Sequence, residues 1–378
     1  MTLANRQKLA AYAMPVAQTL GRRYPEPSHP YRNEYERDRD RIIHSRAFRR
    51  LENKTQVFSR RYSDHFRNRL THTLEVAQIS RTVALALGLN TDLVEALALV
   101  HDVGHPPFGH TGEETINRLM QHYHDRFDHN LHALRIVENF EQKYVDFPGL
   151  NLTFEVREGI IKHSHSYDPA LYPELREYRL AEQPPLEAQL IAVADEIAYN
   201  CADLDDGYEA KLLTLAVIRE GVPLFDRLYR PFERKYPAAL EKLKFNEALK
   251  RVMDELVTDL IQATRERLRR LKVRSVAQVR SHVSRLVALS PRVAADNKGL
   301  KDFLYRHLYS HPDISRERRR IVRSVEGLFN FFLHHPRSLP PSYFVKTQQE
   351  PAYRVVCDYI AGMTDNYLLD QYRKHLGE

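Results

Sequence analysis

Leu93-Val94-Glu95-Ala96-Leu97-Ala98-Leu99-Val100-His101-Asp102 decides how this chain folds. Leu93, Ala96, Leu97 and Val100 recur at helical spacing, so the segment reads as a helix. It ends on an imidazole and a carboxylate, two groups that bind cations. Working outward, Leu70, Leu74, Ala77 and Ala84 give the same period around His72. Leu186, Leu190, Ala194 and Ile197 give it around Asp195. Few segments show the strict alternation of a half-buried strand, so the expected class is mainly α. Side chains at the ends and inner faces of packed helices are how an α-helical metal site is built. His72, His101, Asp102 and Asp195 are therefore candidate ligands for one divalent cation. Two imidazoles and two carboxylates suit Mg, Mn, Fe, Co or Ni better than a thiolate-seeking metal. Taken singly, each histidine is more often a buried, hydrogen-bonded packing residue.

The 378 residues are enough for one large helical domain or two smaller ones with a sizeable core. No apolar run approaches the ~20 residues of a membrane span. Arg6, Lys8 and Gln18 interrupt the N-terminus, which does not read as a secretory signal. Cys201 and Cys357 lack CxxC spacing, so the chain implies neither a disulfide framework nor a zinc knuckle, and the cytoplasm is the simplest compartment. The net charge of +7 fits a basic solvated surface or a polyanionic partner. The dense cluster Arg316, Arg318, Arg319, Arg320 and Arg323 is more often a solvated helix face or an inter-subunit ion-pair set. Nucleic acid or an effector nucleotide is the alternative there.

Residues 24–31 are turn-rich and read as an extended arm. Helix-compatible, charged sequence runs from Asn33 to Leu51. Lys54 to Tyr62 is β-branched and polar and reads as a short hairpin or loop. Helical periodicity dominates from Asn68 to Tyr208, with breaks at Gly104–Gly109 and Tyr167–Pro173. Pro184-Pro185 marks the start of the Asp195 helix. Leu256, Leu260, Ala263, Leu268 and Leu271 lie in one long amphipathic stretch. Pro336 to Ser342 reads as a turn before a last helix carrying Asp358 to Gln371. The expected organisation is an arm and substrate-contacting segment over 1–64, a metal-dependent core over 65–208, and a further helical region over 209–378.

His105 and His110 flank the stiff turn Pro106-Pro107-Phe108-Gly109, which can aim both rings into one cleft. Glu113 follows His110 by three residues. In a helix begun near Thr111 its carboxylate can reach back to the imidazole and raise its pKa, favouring an imidazolium acid. The simpler reading is that Thr111 and Glu113-Glu114 cap the helix, and both can hold together. Arg69 sits one helical turn before His72 and can direct its guanidinium at phosphate, or form an ordinary ion pair. Tyr199 and Asp203 follow Asp195 at intervals of four, so all three share a helix face. Tyr199 could equally be core.

The run His101-Asp102-Val103-Gly104-His105-Pro106-Pro107-Phe108-Gly109-His110-Thr111-Gly112-Glu113 resembles the HD-domain phosphohydrolases, in particular the bacterial dGTPase-like branch of the deoxynucleoside-triphosphate triphosphohydrolases. Three more segments resemble the same branch: Asp40 to Leu51 with Lys54-Thr55-Gln56-Val57-Phe58, Ala194 to Tyr199, and Asp358 to Asp365. The resemblance implies an HD-domain helical bundle with an additional C-terminal helical region, and the four ligands named above match the family order. It implies that His110 with Glu113 is the acid pair protonating the 5′-oxygen, that His129 completes the phosphate-facing set, and that His105 contacts phosphate. It assigns Gln56 and Asp203 to the sugar 3′-hydroxyl and Tyr199 to the deoxyribose. His122, His124 and His132 match nothing and read as surface or packing residues. It further implies a dNTP substrate, homo-oligomers that are often hexamers, and regulation in some members by an effector nucleotide or single-stranded nucleic acid. One position departs from the animal relative: where that enzyme has a phosphate-holding lysine, this chain has Glu196. Arg69 and Lys162 are then the candidates for meeting phosphate charge. The rival readings are another HD activity, on nucleoside monophosphates or a signalling nucleotide, and a nucleic-acid-binding regulator with a structural metal.

Overall fold

The computed structural model describes residues 8–56 and 66–377. Most of the hairpin or loop expected over 54–62 lies outside the described residues, as do Arg6, Val57 and Phe58. In chain order the helices are α1 (Glu34–Ile43), α2 (Arg46–Arg50), α3 (Arg69–Leu87), α4 (Thr91–Val100), α5 (Gly109–Gln121), α6 (His129–Arg135), α7 (Phe154–Ile161), α8 (Leu186–Glu209), α9 (Leu215–Gly221), α10 (Pro223–Lys235), α11 (Glu241–Arg270), α12 (Val276–Arg280), α13 (Pro291–Leu304), α14 (Pro312–His334), α15 (Pro341–Lys346), α16 (Ala352–Ala361) and α17 (Asp365–Leu376). Among the described residues extended pairing is confined to an isolated antiparallel bridge, Thr55 to Asn68. The mainly α expectation holds. No helix of the described residues is long and apolar enough to cross a membrane.

The chain forms two compact units, each discontinuous in sequence. The first comprises Met1–Arg39, Leu74–Ala98 and Thr153–His311. Its long helices α8 and α11 pack together, and α13 packs on both. The reason is legible in α11: Phe245, Ala248, Val252, Leu256, Leu260, Thr264 and Leu268 are buried at steps of three or four, one stripe of a 30-residue helix. Facing α8 buries Leu190, Ala194, Ile197 and Leu204. Each such large aliphatic side chain contributes about 1.5–3 kcal/mol on full burial. Pro185 starts α8, as the Pro184-Pro185 pair predicts. The segment before α1 carries one short 3-10 helix, Val16–Gln18, and is fixed by polar contacts: Met14 N and Asn90 N both donate to the buried carboxylate of Glu187, and Arg22 pairs with Glu34 and Asp38.

The second unit comprises Asp40–Thr73, Leu99–Leu152 and Pro312–Glu378. Its core joins Ile116, Leu119 and Met120 of α5 to Ile321, Val325, Leu328, Phe329 and Phe332 of α14, with Val355, Val356 and Ile360 of α16 and Leu368 of α17. The C-terminal helices thus hold α5 in place. The five arginines from Arg316 to Arg323 are exposed on α14, opposite this apolar stripe. The single last helix expected over Asp358–Gln371 is instead two, α16 and α17. The break falls at Gly362–Thr364, where the Thr364 hydroxyl accepts Tyr367 N–H and caps a new helix.

Candidate functional site

Helix α4 ends at Val100, and the turn after it carries His101 and Asp102, both buried. His72, one turn into α3, is 1% exposed. The candidate ligand atoms of His72, His101 and Asp102 lie within 4.8 Å of one another. Two neutral-capable imidazoles and a carboxylate, converging at that distance inside the unit, fit a divalent cation with nitrogen and oxygen preference. Asp102 also takes Arg69 Nη1 on Oδ2 at 2.7 Å and His105 Nε2 on Oδ1 at 3.1 Å. Burial alone would raise the Asp102 carboxyl, but the charges of His101 and Arg69 hold it well below the usual carboxylate range. It is therefore an anion, the form a metal ligand needs.

The chain then folds back through Gly104 to Gly109. Gly104 is a site of close approach: a Cβ there would lie 1.9 Å from His129 O and 2.4 Å from Ala133 N. Only a glycine lets the turn lie on α6, and that approach stacks the His105 and His129 rings at 4.0 Å. Gly109 has φ +53 and faces Arg69, whose Nη2 would sit 2.7 Å from a Cβ.

Helix α5 begins at Gly109, close to the start expected at Thr111. Glu113 reaches back to His110, with Oε2 3.3 Å from Nδ1. Its other oxygen accepts from His129 N–H and meets His129 Nδ1, each at 2.8 Å. His129 Nδ1 is thus the side of the ring facing the carboxylate. Burial would raise Glu113, yet His129 and the hydrogen bonds from both histidines hold it well below its ordinary range. Burial would lower His129, but Glu113 outweighs it and leaves the imidazole raised. The two shifts favour a carboxylate–imidazolium pair. His110 differs from its neighbours in access, with a side chain 77% exposed. His105, Glu113 and His129 also lie close enough to form a second cation-type cluster. His132 is packing, as expected: its Nδ1 meets Gly104 O at 2.9 Å. His122 and His124 are exposed. Gln56 follows the Thr55 bridge, and its buried Oε1 meets no donor among the described residues.

The first unit carries the remaining candidates on one face of α8. Asp195 lies 3.5 Å from His163 Nε2. Asp203 accepts a hydrogen bond from the Tyr309 hydroxyl. Tyr199 packs under Lys301, whose Nζ is 5.5 Å from the ring centre, and burial beside Glu196 and Asp195 raises its hydroxyl. Glu196, the departure from the animal relative, is met by Lys301 at 3.0 Å and Asn297 at 2.8 Å. Lys162 does not serve as a free phosphate-binding cation. Its three protons go to Glu158, Arg179 O and Glu182 O, each at 2.8 Å, and a lysine ammonium has no fourth. Sequence reasoning did not single out His163 or Tyr309. His163 was signalled only by the His163-Ser164-His165 cluster, and Tyr309 by nothing, because it reaches Asp203 across 106 residues.

Comparison with known proteins identifies the family. A model of the HD domain matches residues 69–200, and one of the phosphohydrolase-associated domain matches residues 287–374. The chain is 45% identical over 367 residues to the deoxyguanosinetriphosphate triphosphohydrolase-like protein of Ralstonia pickettii, covering 97% of this chain and 94% of that one. It is 43% identical over 369 residues to the protein of the same name from Geobacter metallireducens, covering 98% and 95%. With that of Bordetella parapertussis it shares 44% identity over 377 residues, covering 99% and 97%.

Proposed function

This chain belongs to the HD-domain phosphohydrolases, among the deoxyguanosinetriphosphate triphosphohydrolase-like proteins, and from that membership we propose that it is a metal-dependent dNTP triphosphohydrolase. Water attacks the α-phosphorus of a dNTP, dGTP or a similar one. The P–O5′ bond breaks, and deoxynucleoside and inorganic triphosphate leave. The single observation that carries the reading is the junction of two buried clusters. The His72–His101–Asp102 triad meets the His105–Glu113–His129 group through the 3.1 Å contact of Asp102 with His105. A cation-ligand set beside a carboxylate–imidazolium pair is what phosphate-ester hydrolysis requires.

The residues that would hold the cation are His72, His101 and Asp102, with Asp195 carried over from the resemblance. The chemistry gained from such a cation is Lewis acidity, which lowers the pKa of water and withdraws charge from phosphoryl oxygens. The chain's own groups do the rest. Glu113 fixes both histidines through its two oxygens, so the exposed His110 ring is oriented and can give its proton to the departing 5′-oxygen. His129, kept cationic by Glu113, attracts the phosphates, and Arg69 adds a second fixed charge beside Asp102. The Gln56 acceptor, which meets no donor among the described residues, is suited to a sugar hydroxyl, and Tyr199 and Asp203 are assigned to deoxyribose by the resemblance. A homo-oligomer, with an effector nucleotide or single-stranded nucleic acid as regulator, belongs to the same proposal and rests on the resemblance, while a cytoplasmic location rests on the cysteine usage.

Chromatography of the products from each dNTP, singly and pooled, with Mg or Mn, tests the reading. Deoxynucleoside plus triphosphate is expected. Monophosphate plus pyrophosphate, or no turnover in the pool, would refute it.

A further inference from the structure

Asp365 opens α17, yet it does not behave as a helix-start acid. Such acids ordinarily sit in solvent and complement the helix dipole. Asp365 is 7% exposed, and the capping of α17 is done by Thr364. One oxygen of Asp365 accepts Thr55 N–H at 2.7 Å and the Thr55 hydroxyl as well. The other accepts Phe108 N–H at 2.9 Å. One C-terminal carboxylate thereby grips two distant segments: that leading into Gln56, and the turn between His105 and His110. Lys54 reinforces the same loop, its Nζ bridging His105 O at 2.5 Å and Ala361 O at 3.3 Å.

Phe108 is where a tether is needed. Its φ of +60 lies in the left-handed region, which a residue with a Cβ disfavours, and such a conformation persists only when its surroundings impose it. Pro106 and Pro107 stiffen the near end of the turn. At the far end, Asp365 holds the Phe108 amide.

We propose that Asp365 is a positioning residue for catalysis: by holding Phe108 and Thr55 on one carboxylate, it fixes the His105–His110 turn and the Gln56 segment in their working geometry. The role rests on the hydrolase reading above. Asparagine cannot substitute for it. Both oxygens face N–H groups, so an amide must turn its own NH2 toward one of them. Asp358 provides the contrast: it is an equally buried acid seven residues earlier, paired with Arg135 at 2.6 Å, and none of its ion-pair contacts reaches the loop.

The test compares full-length wild type, D365N and D358N, loaded with Mn(II). Hydrogen exchange read by mass spectrometry in D365N should accelerate about tenfold over residues 104–110 and stay unchanged over the core of α5. On dNTP, kcat should fall about tenfold or more, because small misplacements of reacting groups cost that much, with Mn(II) affinity nearly unchanged. D358N should lower the melting temperature without moving loop exchange or kcat. Unchanged loop exchange in D365N, or an equal loss of kcat in D358N, would overturn the proposal. If wild type hydrolyses no dNTP, the hydrolase reading fails, and the exchange comparison still decides whether Asp365 holds the loop.

Discussion

Replacing Glu113 with glutamine keeps the shape of the side chain and removes its charge. In the native protein that charge meets His129 Nδ1 at 2.8 Å and His110 Nδ1 at 3.3 Å. A hydrogen bond to a charged group contributes about 1.5–3 kcal/mol, and one pKa unit corresponds to about 1.4 kcal/mol. Losing the contact to His129 should therefore lower its pKa. Burial is then opposed only by the carboxylates of Asp102 and Asp128, so the imidazole moves down from its raised native position. The stability consequence has a definite pH window. His129 is raised in the fold, so its contribution is full below 6.5 and is lost as pH rises through the folded value. Glu113 is lowered, so its contribution is present above its ordinary 4.5 and is lost as pH falls toward the folded value. The destabilisation of E113Q should accordingly peak between those limits and shrink on both sides. Denaturant unfolding across pH reads this difference. Titration of the His129 ring by NMR in Mg-loaded protein reads the pKa directly. With the acid no longer oriented, kcat should fall about 10²-fold, the low end of general-acid contributions. An unchanged His129 titration, or a stability penalty flat from acid to alkaline pH, would refute the pairing.

Three further outcomes are expected. H72A and H101A should each lose tight Mn(II) binding in calorimetric titration while keeping the helical circular dichroism signal; stoichiometric tight binding in either would remove that residue from the site. G104A should lose at least the ~1–3 kcal/mol typical of overpacking, because a Cβ there meets the backbone of α6 rather than a movable side chain; a melting temperature equal to wild type would contradict the close approach. E158Q should cost about 3–5 kcal/mol in urea unfolding, since Glu158 is fully buried and holds Arg280 through both oxygens at 2.8 and 2.9 Å and Lys162 through one. A loss below about 1 kcal/mol, the scale of an exposed pair, would mean that network carries no charge-specific load.

What the sequence determined by itself was local. The helical period around His72, through Leu93–Val100 and around Asp195 follows from side-chain spacing, so the mainly α class and the helices carrying those residues are legible in the sequence. The reach of Glu113 to His110 is a three-residue matter within one helix, and it too can be read there. Pro185 at the head of α8 needed only its own backbone chemistry. The division of Asp358–Gln371 into two helices was local as well, but the Thr364 cap competes with continued helix, and the spacing of apolar residues does not register that choice.

The tertiary structure decided which polar atoms meet. Whether a buried cation or carboxylate serves a ligand or the fold depends on what else its atoms touch, and those partners come from distant parts of the chain. Lys162 and Arg69 look alike as phosphate candidates in the sequence; packing spent all three protons of Lys162 within the first unit and set Arg69 on Asp102. Glu196 stands in the sequence only as a carboxylate where the animal relative has a lysine, and the fold brings Lys301 and Asn297 against it. The second bond of Glu113, to His129, and the hold of Asp365 on Phe108, 257 residues away, exist only after the chain has folded back on itself. Desolvation makes such pairings obligatory once the groups are buried, but it names no partner in advance, because a buried acid accepts whichever donor the packed helices bring to it.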